Sequence, residues 1–176
     1  RLPIASVSKL VTAYVVLESR VDLDQLVPVV PSATDYSRVL KPGSFVTRRE
    51  LINMALIASD NLAARTLATT HPGGYDNFIA TMNMTVKQLG MTNTGFSDAS
   101  GLSVFNTSTI NDLVAFGAVA YQNQILRTIA SLPEAKLTMW RKGRVTKLSI
   151  RNTNPALLNH SDIALSKTGT THAAGK

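Results

Sequence analysis

Cysteine is absent from the 176-residue chain. That removes disulfide scaffolds, thiol nucleophiles, thiolate zinc sites and iron-sulfur clusters together. The redox compartment stays open, because a large core needs no disulfide even in an oxidising space. Histidine is scarce: His71, His160 and His172 are far apart, and no two stand at ligand spacing with a carboxylate. No metal and no cofactor is expected from them. Glutamate is limited to Glu18, Glu50 and Glu134, so acid-base chemistry must be sought in other side chains. No window of 18 apolar residues free of charge occurs, and no targeting stretch precedes Arg1, so nothing in the chain as given reads as a membrane span or an address.

What is present suits one ordinary domain with a sizeable core: 44% of residues are hydrophobic and 16% charged, which excludes global disorder. The net charge of +7 favours an anionic partner such as nucleic acid, anionic lipid or a cell-wall polymer. The positive residues are dispersed, however. The densest run, Arg141 to Lys147, lacks the interleaved aromatics of a base-stacking platform and reads as a solvated hairpin turn before it reads as an anion-facing surface.

Along the chain, Ser6 is a candidate N-cap, and Leu10, Ala13, Tyr14 and Leu17 form a stripe on a helix reaching about Ser19. This helix is apolar on nearly every side and is predicted to be central and buried. Residues 21 to 41 read as irregular. Thr47-Arg48-Arg49-Glu50 is a capping box opening a helix through Leu51 and Ile57, and Leu62 to Ala68 reads as the next. Tyr75 to Leu89 is predicted as a third amphipathic helix, with Phe78, Met82 and Met84 as core or interface filler. A further helix is signalled from Ser108 through Phe116 and Val119. Leu137 to Ile150 reads as a weak hairpin around Gly143, and Asp162 to Thr171 as a lone strand with no obvious sheet to join.

The remaining hydrolytic nucleophiles are Ser and Thr, and lysine is an available base. Ser6 and Lys9 stand three apart at a helix start, where the amine can fold back over the hydroxyl and helix amides favour charge on an attacked carbonyl. Neutral Lys9 would be a competent proton acceptor if burial or a neighbouring cation lowered its pKa. Ser-x-x-Lys alone is a weak signal, equally read as an N-cap and a surface lysine. Ser59-Asp60-Asn61 and Lys167-Thr168-Gly169 follow it in order, and the three together are a specific signature, with each element in fitting context: a helix start, a break between helices and a strand.

On these motifs the chain resembles the penicillin-binding active-serine D,D-peptidases, in their low-molecular-mass D-alanyl-D-alanine carboxypeptidase and endopeptidase group. The resemblance extends through Pro3 to Leu10, Leu51 to Ala64, Leu89 to Thr94 and Ser100 to Ser103. His71 to Gly74 and Arg151 to Pro155 look most like the D,D-endopeptidase branch. It implies an α/β fold of the β-lactamase/transpeptidase type: a five-stranded antiparallel sheet with helices on both sides and a helical subdomain. It implies that Ser6 is acylated, that Lys9 is its base, and that Ser59, held by Lys167, passes a proton to the leaving amine. Asn61 would bind a substrate carbonyl and steady Lys9, while Asp60 shapes the turn. Thr168 would meet the donor end, Gly169 would allow close approach, and the Ser6 and Thr170 amides would form the oxyanion hole.

The implied reaction is hydrolysis of D-alanyl bonds in peptidoglycan stem peptides through a serine ester, cleaving cross-links, with terminal D-Ala-D-Ala carboxypeptidase action as the alternative. No cofactor is implied. β-Lactams would acylate Ser6, and the implied location is the periplasm or outer face of the bacterial cytoplasmic membrane. Strands precede the nucleophile helix and follow Lys-Thr-Gly in the family, so residues 1–176 are expected to be an incomplete catalytic domain, helical over about 6–130 and β-containing over about 136–171, whose missing terminal segments would be partners. Three rivals remain. A serine β-lactamase would need a deacylating glutamate, and the neighbourhood of Thr94 to Asp98 offers only Asp98. A non-catalytic wall-binding protein would keep the fold, and a nucleic-acid-binding domain would bind with strong salt dependence.

Overall fold

The computed structural model of the protein describes residues 1–175. Its centre is α1 (Ser8–Glu18), which packs against four other helices. Val11, Ala13, Val15 and Val16 are almost fully buried, so the predicted central helix is in place. β-Branched valines are poor helix formers, and packing on every side is what holds this segment helical. Ser6 is not its N-cap. It sits in a 3₁₀ turn, Ala5–Val7, that leads into the helix, and Val7 occupies the cap position with no side-chain bond.

Around α1 lie α2 (Arg48–Ile57), α3 (Asn61–Thr69), α4 (Gly74–Gln88), α5 (Ile110–Gln122) and α6 (Gln124–Ala130). Phe78, Met82 and Val86 bury the inner face of α4. Met84 does not join them and is 57% exposed, because it falls on the opposite side of the 3.6-residue period. The separate helix α6, capped by Asn123, was not anticipated, since Gln122-Asn123-Gln124 carries no glycine or proline to mark the break.

Two antiparallel sheets flank the helices. β1 (Leu2–Pro3) pairs with β4 (Thr107–Ser108), and β2 (Leu26–Pro28), β3 (Phe45–Thr47), β5 (Glu134–Arg141) and β6 (Arg144–Arg151) form a four-stranded sheet in that order. The α/β class and antiparallel pairing agree with expectation. The sheet has four strands where the complete family fold has five, and three short strands, β2, β3 and β4, fall inside the stretch expected to be mainly helical.

The hairpin is longer than predicted. Its ladder runs from Glu134↔Arg151 to Arg141↔Arg144 around a two-residue turn with positive φ at both Lys142 and Gly143, the requirement of a type I′ turn. The strand predicted over Asp162 to Thr171 does not form: Asp162 lies in a turn, residues 163–170 carry no regular structure, and within the segment only Thr171 is paired, in the bridge Thr171↔Gly175. Side-chain contacts hold it instead: Asn154 Nδ2 donates to Ser166 Oγ at 2.9 Å, and Thr153 and Thr168 hydroxyls meet at 2.6 Å.

The capping box joins helices to sheet. Thr47 Oγ1 accepts from Glu50 N, and Glu50 Oε2 accepts from Thr47 N at 2.9 Å and from Thr47 Oγ1 at 3.0 Å. The second carboxylate oxygen, Oε1, accepts the β5 amide of Thr138 at 2.6 Å. Glu50→Ala should therefore cost about 2–3 kcal/mol, leaving a strand amide and a helix start unpartnered, whereas Thr47→Ala should cost about 1 kcal/mol. Urea unfolding with an unchanged m-value checks this, and equal losses for the two variants would contradict it.

Candidate active site

Two of the motifs meet at Lys9, which is fully buried, and the third reaches the site at Ser59. Lys9 Nζ donates to Ser6 Oγ at 2.7 Å, to Asn61 Oδ1 at 2.7 Å and to the Ser100 carbonyl at 2.5 Å. Three acceptors satisfy the three N–H bonds of an ammonium. A neutral amine retains two N–H bonds for Asn61 and Ser100 and turns its lone pair to the Ser6 hydroxyl. Burial lowers the Lys9 pKa to about 8, although Asp98, Asp60 and Asp35 act to raise it.

Ser59 reaches the site through an unusual backbone. α2 ends with the amides of Ala58 and Asp60 both returning to the Met54 carbonyl, and Ser59 between them adopts φ 55°. Asp60 then caps α3 through Ala63 N at 2.9 Å, while its other oxygen accepts the Ser37 hydroxyl. Burial raises its pKa, and these two bonds partly offset the rise. Asp60 thus organises the turn that presents Ser59 on one side and Asn61 on the other.

Lys167 Nζ donates to Ser59 Oγ and to the Thr168 carbonyl, both at 2.8 Å. Burial first, and the charge of Lys9 second, lower its pKa to about 7. The neighbouring-cation effect anticipated for Lys9 is thus recorded at Lys167, with burial the leading cause at both. Gly169 lies against the nucleophile turn: a Cβ there would stand 3.1 Å from the Ile4 carbonyl and 3.3 Å from Val7 N. The amide of Thr170, next in the chain, makes no hydrogen bond to another described residue. Ser8, the neighbouring hydroxyl, is fully buried and accepts from Asn106 Nδ2 at 3.0 Å.

The sequence reading assigned no role to the loop that completes the site. Asp98 Oδ1 accepts from Ser100 N at 2.7 Å and from Gly101 N, and Oδ2 accepts from Ser103 N. Asn106 accepts from Ser97 N and Asp98 N and donates to the Asp98 carbonyl. These bonds aim the Ser100 carbonyl at Lys9. Ser97 to Asn106 is rich in turn formers, but the acceptor is a backbone oxygen, which no side-chain motif reveals. Among the described residues no three His, Cys, Asp or Glu side chains are grouped to hold a metal.

Gly101, at φ 82°, is where the loop touches the nucleophile turn: a Cβ would come within 1.9 Å of the Ala5 carbonyl. Gly43 has nearly the same φ, 78°, in open space. Gly43→Ala should cost about 1 kcal/mol of backbone strain, and Gly101→Ala roughly 3 kcal/mol or more, because backbone must also shift. Thermal unfolding of the two variants separates clash from strain, and similar Tm losses would show that the contact is not tight.

Across residues 1–176 the chain matches the family model described as D-alanyl-D-alanine carboxypeptidase. It is 40% identical to a D-alanyl-D-alanine endopeptidase of Pseudomonas aeruginosa, covering 99% of the chain and 57% of that protein. With the D-alanyl-D-alanine endopeptidase of Escherichia coli the identity is 41%, covering 98% and 57%. The chain thus spans less than two thirds of the length of these relatives. A crystal structure of a Mycobacterium tuberculosis D-alanyl-D-alanine carboxypeptidase superposes with a TM-score of 0.85 at 31% identity, covering 99% of this chain and 66% of that one. A Streptomyces DD-transpeptidase superposes with a TM-score of 0.90 at 27% identity, covering 99% and 73%. With the three motifs gathered in one site and the family model matched from end to end, the chain belongs to the D-alanyl-D-alanine carboxypeptidase family of penicillin-binding serine peptidases.

Proposed function

We propose that the chain carries the catalytic centre of a serine D,D-peptidase that hydrolyses D-alanyl peptide bonds of peptidoglycan, acting on cross-links as an endopeptidase. The observation that carries this is the buried Lys9 amine, bonded at once to Ser6, Asn61 and the Ser100 carbonyl. The endopeptidase choice draws on the two relatives at 40–41% identity. Terminal D-Ala-D-Ala carboxypeptidase action is the second reading, favoured by the family description and by carboxypeptidases at 30–33% identity.

In this mechanism neutral Lys9 takes the Ser6 proton as Oγ attacks the D-alanyl carbonyl carbon. The Ser6 and Thr170 amides receive the oxyanion, and Asn61 and Thr168 hold the peptide. As the C–N bond breaks, the Ser59 hydroxyl hands a proton to the leaving amine and is resupplied across its contact with Lys167. Solvent then takes the proton from Lys9 and restores the one Lys167 gave up, water adds to the ester as neutral Lys9 takes its proton, and that proton passes to Ser6 Oγ as the ester C–O bond breaks, freeing the carboxyl product. β-Lactams, whose ring carbonyl stands in for the peptide, would be trapped at Ser6. Asp98 is a poor deacylating base, since both its oxygens already serve loop amides, and this disfavours the β-lactamase reading. Peptidoglycan as substrate places the work in the periplasm or on the outer face of the cytoplasmic membrane. No helix among the described residues is long and apolar enough to cross a membrane.

Mass spectrometry after exposure to penicillin should find one adduct, on the Ser6 peptide. No adduct, or one on Ser8 or Ser59, overturns the assignment. Neutral Lys9 is the acceptor, and with its pKa near 8 acylation should fall about tenfold per pH unit as the pH drops below about 8, where Lys9 holds its proton, and level off above it. A flat profile from about pH 5 to 9 with acylation rate-limiting contradicts this. Digestion of purified muropeptides should convert cross-linked dimers to monomers, whereas release of free D-Ala with dimers untouched selects the carboxypeptidase.

A further inference from the structure

Two surface depressions on the β5–β6 hairpin meet at Ser149. The first, about 510 Å³, opens at Ser59 and Asn61 and is lined by Tyr36, Arg38 and Arg151. The second, about 420 Å³, lies between Lys136 and Lys147. The ladder pairs Lys136 with Ser149, Thr138 with Lys147 and Glu134 with Arg151. Paired residues share a face and alternate residues repeat it, so Lys147, Ser149 and Arg151 stand in a row on the outer side with Lys136 beside them. The two depressions are one trough.

This trough is cationic. Arg38, Arg151, Lys136 and Lys147 are all exposed, and none forms an ion pair among the described residues. Glu134, across from Arg151, is the one acid on the hairpin and makes no such pair either. Arg38 is not on a loose segment. Its neighbour Ser37 donates to Asp60 and accepts the amides of Val39 and Leu40 at 3.1 and 2.7 Å, so this wall is tied to the residue that starts α3.

We propose that the trough binds the leaving half of a cross-linked substrate, the stem peptide whose amine departs, through its free carboxylates. The inference rests on the D,D-peptidase reading and specifies its substrate. Direction follows from where the trough begins: Ser59 is the hydroxyl assigned to the leaving amine, and the cations extend away from it. Length agrees, since the four residue steps from Arg151 to Lys147 span about 13 Å, the reach of an extended peptide of about four residues. Guanidinium and ammonium groups without an acidic partner along one face suit a ligand carrying several carboxylates. A single D-Ala leaving group fills only the Ser59 end and never reaches Lys136 or Lys147. The trough therefore favours cross-links over terminal D-Ala.

The test is the double charge reversal Lys136→Glu with Lys147→Glu, both remote from Ser6. Expected are a fall of about tenfold in kcat/KM for a cross-linked muropeptide dimer at low salt, loss of most of the wild-type salt dependence, and unchanged rates of penicillin acylation and of D-Ala release from an uncross-linked pentapeptide. The neutral pair Lys136→Gln with Lys147→Gln should fall between wild type and reversal. Unchanged dimer cleavage in the reversal variant overturns the proposal. So does an equal loss of penicillin acylation in both pairs, which would trace the effect to the fold. A DNA oligonucleotide that competes with the dimer as well as a free tetrapeptide stem does would mark a generic anion surface and also overturn it. If wild-type protein is not acylated by penicillin at all, the D,D-peptidase reading itself fails, and the trough is rejected with it as a substrate site.

Discussion

A lysine amine with no exposed surface must have every one of its protons met by protein. At Lys9 this constraint organises the molecule, because its partners come from three separate places: a hydroxyl one turn back, the first residue of α3 and a loop carbonyl some ninety residues away. Leaving any of them out would strand a buried donor, at a cost comparable to a large fraction of domain stability. The 3₁₀ turn, the break between α2 and α3 and the Ser97 to Asn106 loop are therefore held in one arrangement. Two of the four non-glycine residues with positive φ, Ala5 and Ser59, lie at this junction, where surrounding bonds sustain conformations that isolated residues rarely adopt.

The nearby acids show how the arrangement is tuned. Asp98 and Asp60 raise the Lys9 pKa, yet burial outweighs them. Neither carboxylate touches Nζ. Each is occupied with backbone amides and hydroxyls of its own loop, so their charge stabilises position more than protonation. A direct ion pair would hold the proton on Lys9, whereas neutral acceptors satisfy the amine in either state. The same loop bonds engage both Asp98 oxygens.

Lys167 adds the complementary charge. It approaches Ser59 from a segment that has no ladder, held by the Thr168 to Thr153 and Ser166 to Asn154 contacts and by the Gly169 approach to the Ile4–Val7 turn. Burial lowers the pKa of both lysines, and at Lys167 the charge of Lys9 lowers it further.

The sequence by itself determined most local elements and which side chains were candidates to meet at the site. Thr47 and Glu50 at capping spacing, Phe78, Met82 and Val86 at helical spacing, and a glycine-centred turn between alternating strands are short-range signals, and short-range physics decides them. Ser6 with Lys9, Ser59 with Asn61, and Lys167 with Gly169 were legible for the same reason, as fixed spacings of chemically distinctive side chains. Tertiary structure alone decided the rest. That Ser6 lies in a 3₁₀ turn before the helix depends on the loop packed against Ala5. That residues 163–170 form no ladder depends on what lies beside them, since an apolar run carries no information about its partner strand. The Ser100 carbonyl was invisible because every residue has one and only its direction matters. The basic hairpin face was hidden because charges that are dispersed in sequence are gathered on one side only by pleat and register.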